Sequence, residues 1–293
     1  MASRRDWHAN ALINALERRS VRASCFLIKN FVAMISERKG RALCEGHVLE
    51  DYDAILVRTI PLGSLEQIIF RMDVLHGLED SGVKIINSPA TIEKTVDKYY
   101  TSLILERRGI ATPKTTVTES MDKAMEAFNA YGDIVVKPLF GCGGKGMVRI
   151  SDENLAYRTF RALEMGRYVY YTQEYIEHGD RDIRVFVVGD RAIASMIREG
   201  KTWKTNIAQG GKPRSLELTE DLKDLSVSAA KALGADYSGV DIIKSDKYYV
   251  VEVNSMPAWA GLQKVSKRNI SIELADYVIG KLNYRNSAVL THM

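Results

Sequence analysis

Cysteine, histidine and proline are scarce in this chain of 293 residues, numbering three, five and six. Cys25, Cys44 and Cys142 are odd in number and form neither a CxxC pair nor, with the histidines, a zinc spacing, which excludes a disulfide scaffold and a zinc module. A reduced, cytoplasmic setting is therefore expected. No uninterrupted apolar run approaches the roughly 18 residues that span a bilayer, so no membrane partner is expected. Met1-Ala2-Ser3-Arg4-Arg5 leads into a helix interrupted by Asn10, Asn14 and Glu17, unlike the apolar core of a secretion signal. Charge of one sign is also missing. Forty-one Lys plus Arg against 37 Asp plus Glu leaves +4, too little and too dispersed for a nucleic-acid footprint, though it suits a pocket that gathers anions.

What the chain does have is an ordinary globular balance, 46% apolar and 27% charged, at a length that favours two or three lobes sharing a cleft. A small α/β domain is expected over 1–90, with a first helix carrying Leu12, Ile13 and Leu16, strands at Ser24–Ile28, Ala54–Val57 and Val83–Asn87, and a helix at Leu65–Leu78. It lacks the strand that usually opens such a fold, since only Met1 to Arg5 precede the first helix. Ser88-Pro89 marks its end. A central α+β lobe over 91–172 follows: helix Ile92–Arg108 closed by Gly109, a strand after Thr112-Pro113, helix Met121–Ala130, strand Ile134–Pro138, a glycine loop and strand Met147–Ile150. Strand Tyr168–Tyr171 leads into a strand-rich lobe over 173–293, with strands Ile183–Val188, Ala192–Arg198, Gly239–Ile243 and Tyr248–Val253 and helices near Thr219–Leu233 and Ile272–Leu282.

The most informative segment is Val250-Val251-Glu252-Val253-Asn254-Ser255-Met256-Pro257. Alternation in a strand places Glu252 and Asn254 on one side and Val251 and Val253 on the other. If the strand of Asp241 runs alongside, two carboxylates and an amide oxygen converge. That is a ligand set magnesium accepts when water and phosphate complete its octahedron. Taken singly, either segment could be a strand end meeting solvent; the combination points to a metal.

Phe140-Gly141-Cys142-Gly143-Gly144-Lys145-Gly146 lies between two strands, and its glycines let backbone N–H groups approach a phosphate. A strand follows it and no Lys-Ser/Thr closes it, so it is neither a Walker loop nor a dinucleotide fingerprint. A structural hairpin tip would have the same composition, and Lys137 tips the balance. A lysine in the apolar strand Ile134-Val135-Val136-Lys137-Pro138 must bury its stem, which suits an anionic partner. Gln173-Glu174-Tyr175-Ile176 ends a strand and can offer backbone groups to an adenine edge, with Glu174 accepting from the amino group; an ordinary strand end is the alternative. His178 reads as a turn residue. Asp182 and Arg184 share a strand face, with Arg198 on the expected antiparallel partner; an arginine there is either an ion pair or an anion clamp. Arg198 is assigned to phosphate and Asp182 to ribose. Trp203-Lys204-Thr205-Asn206 with Gly210-Gly211-Lys212 reads as a mobile loop completing the cleft.

Taken in order, these segments resemble the ATP-grasp superfamily and, within it, the RimK-like amino-acid ligases. The likeness rests on Asp97-Lys98, Val136-Lys137-Pro138, the glycine loop, Gln173-Glu174-Tyr175-Ile176, Arg181-Asp182-Ile183-Arg184, Trp203-Lys204-Thr205-Asn206, Gly239-Val240-Asp241 and the run from Glu252 to Pro257. It is closest to the tetrahydromethanopterin:glutamate ligases in Pro138 to Gly144, Ala208-Gln209-Gly210-Gly211, Asn254 to Leu262, Leu56-Val57-Arg58 and Phe70 to Leu75. The resemblance implies an ATP-grasp fold, an N-terminal α/β domain plus two α+β lobes enclosing an ATP cleft. It implies that Lys98 and Lys137 contact the phosphates, with Gly141, Gly143, Gly144 and Gly146 cradling them. It places Gln173, Glu174, Tyr175 and Ile176 at the adenine and Asp182 at the ribose. Asp241, Glu252 and Asn254 would hold two magnesium ions, manganese being an alternative, with Glu252 bridging.

The implied reaction is ADP-forming amide synthesis. ATP phosphorylates a carboxylate on an acidic cofactor, a tetrahydromethanopterin-type pterin, and the amine of L-glutamate displaces phosphate. Lys137 and Arg198 would stabilise the transferring group. Arg58 and Arg71 are candidates for the acceptor's acidic tail, though each could be surface charge, and Arg184, Lys204 and Asn206 are further substrate candidates. A homo-oligomer is expected. Rival readings are a ligase acting on a protein C-terminus or carrier protein, glutamylation of a furan-type or deazaflavin cofactor, and a non-catalytic nucleotide-binding module. Intact Asp241, Glu252 and Asn254 argue against the last.

Overall fold

In the computed structural model, which describes residues 1–36, 39–141, 143–207 and 210–290, the chain forms successive sheets, the last two of which border a polar cleft. The N-terminal part opens with α1 (Trp7–Glu17), capped by the Asp6 carboxylate accepting from the Ala9 N–H. An antiparallel sheet of β1 (Phe31–Ser36), β2 (Lys39–Cys44) and β3 (His47–Val48) follows. Then β4 (Ala54–Leu56), α2 (Leu65–Asp80) and β5 (Lys84–Ile86) make a parallel βαβ unit, with Ser64 and Gln67 forming a reciprocal cap at the start of α2. The strand expected at Ser24–Ile28 is replaced by a single bridge between Ala2 and Leu27. The Leu27 N–H is taken by the Glu45 carboxylate and its carbonyl by the Cys44 thiol, so no ladder can extend there.

The helix expected as one piece from Ile92 to Arg108 is two, α3 (Pro89–Val96) and α4 (Lys98–Arg107). Asp97 separates them: its extended backbone ends α3, and its side chain caps α4 by accepting from the Tyr100 N–H. Lys98 thereby becomes the first residue of α4. Gly109, at φ +73°, closes α4 as expected. The central antiparallel sheet has the order β6 (Thr115–Thr118), β9 (Tyr170–Glu174), β7 (Ile134–Lys137), β8 (Val148–Ile150). It packs against α5 (Met121–Tyr131) and an unforeseen helix, α6 (Glu153–Met165), which buries Ala156 and Phe160 four residues apart.

The third sheet positions the site. Its antiparallel order is β12 (Lys212–Ser215), β11 (Arg191–Glu199), β10 (Arg181–Val188), β13 (Tyr237–Lys244), β14 (Tyr248–Asn254). Residues Lys212–Ser215, read from sequence as loop, pair with Glu199–Met196 as the edge. One face is largely apolar: Val185, Val187, Val240, Ile242, Val250 and Val253 pack on Leu222, Ala229 and Leu233 of α7 (Glu220–Leu233). Each such aliphatic burial contributes about 1.5–3 kcal/mol relative to exposure. The opposite face is divided. At one end Phe186, Val188 and Tyr237 meet Trp259, just before α8 (Ala260–Gln263), and Leu274 and Val278 of α9 (Ile270–Leu290). At the other it carries Asp182, Arg184, Arg198 and Asp241.

β14 corrects one expectation. Asp241 pairs with Glu252 but Ile242 pairs with Val250, so Val251 is an extra residue in a bulge. Val250 and Val253 pack in the core, whereas Val251 lines the cleft beside Glu252 instead of facing away from it. Among the described residues no helix is long and apolar enough to cross a membrane.

Candidate active site

Between the central sheet and the polar end of the third sheet lies a cleft that opens to solvent, with about 870 Å³ of empty space when the open solvent in its mouth is included. Its floor is a row of charges fixed by strand register. Arg184 on β10 faces Asp241 on β13, and Asp182 on β10 faces Arg198 on β11. Arg198 donates from Nε and Nη2 to the two Asp182 oxygens, 2.6 Å each, and its Nη2 lies 3.0 Å from Asp241 Oδ1. Arg184 forks onto Asp241, Nη2 to Oδ2 at 2.7 Å with Nε on the other oxygen, and the Thr205 hydroxyl donates to Asp182. Asp182, Arg198 and Asp241 are all buried. Burial opposes ionisation of Asp241, but Arg184 and Arg198 outweigh it and hold its carboxyl below the usual range. Burial likewise opposes charge on Arg198, and the Asp241 and Asp182 carboxylates outweigh it in turn. Such a network is a poor stabiliser, because desolvating four charges offsets most of what their attraction gains. Its placement in a cleft points to function.

Across the cleft, Lys137 at the end of β7 donates to Gln173 Oε1 at 2.5 Å. Gln173 is itself buried and donates to Thr115 Oγ1 at 2.9 Å and the Tyr171 hydroxyl at 3.2 Å, so its carboxamide orientation is set by three partners. Burial lowers the Lys137 ammonium to about 8; Glu252 and Asp241 oppose the shift and Lys98 adds to it. Lys98 Nζ donates to the carbonyls of Gly141 at 2.9 Å and Leu139 at 3.3 Å, tying α4 to the glycine loop. At Gly144, φ is +72° and a Cβ would run into the Asn206 side chain, so only glycine lets the loop approach that residue. Lys204 Nζ donates to Met147 O at 2.6 Å. Residues 203–206 of the third lobe thus lean on the glycine loop of the second.

The inter-lobe segment is also held. The Glu174 N–H donates to Lys114 O and the Tyr175 N–H to Asp133 O, while the Arg149 guanidinium lies 3.5 Å from the centre of the Tyr175 ring. His178, read from sequence as a turn residue, lines the cleft with its ring between Ile176 O at 2.7 Å and Trp203 O at 3.3 Å. Tyr171, Thr115 and Arg149 had no local signal marking them; their roles come from strand pairing.

Lys98, Lys137, Gly141, Gly143, Gly144, Gln173, Glu174, Tyr175, Ile176, Asp182, Arg198, Lys204, Asn206, Asp241 and Glu252 line one cleft. Arg184 lies beneath it through Asp241, and Asn254 stands opposite Gly239 at the strand end. Gly146, at φ +74°, packs on Pro138 behind the loop. Arg58 and Arg71 lie elsewhere: Arg58 donates to the Tyr237 hydroxyl and Pro257 O, and Arg71 to Pro61 O. Cys142, Ala208 and Gln209 lie outside the described residues.

The family model for the RimK-like ATP-grasp domain matches residues 95–278. The chain belongs to the RimK-like ATP-grasp family. This RimK-like ligase is 40% identical over 239 residues to the tetrahydromethanopterin:alpha-L-glutamate ligase of Methanocaldococcus jannaschii, covering 79% of this chain and 80% of that protein. It is 35% identical over 293 residues to the protein of the same name from Methanococcus maripaludis, covering 97% of each. Among solved structures, the ATP-grasp ligase PsnB complexed with minimal precursor has a TM-score of 0.76 at 20% identity, covering 95% of this chain and 97% of that one, a likeness in fold. As a member of this family, the RimK-like ligase described here is an ATP-dependent enzyme that forms a C–N bond between a carboxylate and an amine.

The donor set suits a hard divalent cation. Among the described residues no three His, Cys, Asp or Glu side chains gather as a metal cluster, so a cation held by Asp241 and Glu252 would need further oxygen ligands such as an amide, phosphate or water. Arg184 and Arg198 occupy three of roughly four lone-pair directions on Asp241, leaving one for a cation.

Because the Lys137 ammonium titrates near 8 in the free protein, a polyphosphate beside it must favour the protonated form. Calorimetry of metal-free ADP binding in buffers of different ionisation enthalpy should show a proton uptake in excess of that of Lys137→Met that approaches one at about pH 9 and almost vanishes at about pH 6. Uptake independent of pH would contradict this placement of Lys137.

Proposed function

We propose that this ligase joins the amine of L-glutamate to a carboxylate on a tetrahydromethanopterin-type pterin, in the cytoplasm, through an acyl phosphate made from ATP. The observation carrying the reading is the single cleft lined by Lys137 and Lys98 on one side and the Asp241 and Glu252 carboxylates on the other, in a chain 40% identical to a ligase of that name.

Carboxylate oxygen attacks the γ-phosphorus and the bond to ADP breaks. The glutamate amine then attacks the acyl carbon, phosphate leaves, and the nitrogen sheds a proton. Lys137, pre-positioned by Gln173, offsets charge gathering on the transferring oxygens, and the glycine-loop amides do the same from above. Glu174, Tyr175 and Ile176 bind the adenine and Asp182 the ribose. Asp241, Glu252 and Asn254 would hold two magnesium or manganese ions, which supply Lewis-acid neutralisation of phosphate charge. Arg198 reaches both the floor carboxylates and the cleft, so it can follow charge from phosphoryl transfer to the tetrahedral stage.

Mass spectrometry after incubation with ATP, magnesium, glutamate and a panel of acidic acceptors tests the substrate. A glutamyl mass increment on the pterin, with matching ADP release, is expected; an increment confined to a polypeptide or another cofactor would overturn the pterin assignment. For Arg198→Lys, which keeps a cation between Asp182 and Asp241, kcat should fall roughly 100-fold while KM for ATP stays within about threefold, the loss typical of one preorganised donor. Unchanged kcat would remove Arg198 from the chemistry.

A further inference from the structure

The proposed cation ligands sit in the last three pairs of the β13–β14 ladder, next to its bulge. Beyond the bulge at Val251 the register runs Asp241 to Glu252, Val240 to Val253 and Gly239 to Asn254, and β14 ends there. A bulge bends its strand and disrupts the ladder locally, so a contact from outside the ladder can act on the alignment of the two ligand-bearing strands.

A fully buried carboxamide from another part of the chain supplies it. Asn87, the residue after β5, donates from Nδ2 to Tyr237 O at 2.9 Å and Ser255 O at 2.6 Å. Its Oδ1 accepts from the N–H groups of Asp236 at 2.5 Å and Tyr237 at 3.2 Å. These contacts use the full capacity of the amide, and every partner is backbone at the start of β13 or just past the end of β14. Inserted between two carbonyls that would otherwise repel, the carboxamide sets their separation. Thr95 on α3 adds a second fixing point, its Oγ1 lying 2.6 Å from Ser255 Oγ. Arg58 donates to Pro257 O at 2.7 Å, two residues further along.

We propose that Asn87, assisted by Thr95, is a positioning residue for the divalent-cation site, holding the strands of Asp241, Glu252 and Asn254 at the spacing that lets their oxygens share ions. The N-terminal α/β unit thereby sets the metal geometry of the ATP cleft. This rests on the reading of those three side chains as the ligands.

Water proton relaxation enhancement, which separates protein-bound Mn²⁺ from Mn²⁺–ADP, can follow Mn²⁺ binding to the full chain saturated with ADP. Asn87→Asp, which keeps the accepting oxygen and loses both donors, and Asn87→Ala should weaken Mn²⁺ binding about 10-fold, the lower end of the loss seen when a group bonded directly to a metal ligand is removed. Thr95→Val should weaken it less, and metal-free ADP affinity should stay unchanged in all three. Glu252→Gln is the control for the ligand reading: Mn²⁺ binding equal to wild type in that variant would sink the metal site itself. Loss in Glu252→Gln with wild-type binding in the Asn87 variants overturns the positioning role alone, as does an equal loss of metal-free ADP binding. If both Asn87 variants fail to fold, Thr95→Val decides: weakened Mn²⁺ binding supports the proposal and unchanged binding overturns it.

Discussion

Asp241 is held between two arginines on the face of a sheet, and the organisation of the cleft depends on that arrangement. The register that sets Arg184 opposite Asp241 and Arg198 opposite Asp182 forces four charges into neighbouring positions. Burying them is costly, and the network persists because each carboxylate has a bidentate guanidinium partner. The same pairing leaves Asp241 ionised with one direction to spare, beside Glu252. A floor neutral overall and rich in oriented donors can take both a polyanion and its counter-cations. Swapping it for aliphatic packing would stabilise the sheet and abolish that capacity.

The rest of the cleft is arranged around this floor. Lys137 faces it with an ammonium whose charge burial disfavours, an effect that an approaching triphosphate would offset. The glycine loop is tied at one side to α4 through Lys98 and touches residues 204–206 at the other, so nucleotide contact would reach both lobes at once. Gly239 shows how tightly the floor is built: a Cβ there would lie 2.7 Å from Arg184 Nη1. The bulge at Val251 turns an extra apolar side chain into the cleft, giving a nonpolar surface next to the carboxylates.

Much of this was legible in the sequence, for physical reasons that differ by residue. Glu252 and Asp241 stood out because carboxylates interrupt apolar strands, and Lys137 because a lysine in such a strand must face something anionic. Asp182 and Arg184 could be placed on one strand face and Arg198 on the partner strand, although whether an arginine there pairs or clamps an anion was open; in the structure Arg198 pairs with Asp182 and Arg184 with Asp241. The β1–β2 hairpin was missed because β1 buries Phe31 alone and so shows no alternation. The break at Asp97 was missed because the apolar period continues through it, while capping ends one helix and begins the next. Helix α6 carried a readable cap at Asp152 and a buried pair at Ala156 and Phe160. The Val251 bulge and the Asn87 latch had no local signal at all, since both depend on partners that only folding brings near.

The most direct test of the account is anomalous scattering from crystals grown with Mn²⁺ and a non-hydrolysable ATP analogue. The account predicts two manganese peaks beside the triphosphate, Glu252 coordinating both, with Asp241 and Asn254 each touching one. Manganese held by phosphate and water alone, or by side chains elsewhere while both arginines keep Asp241 fully occupied, would contradict it.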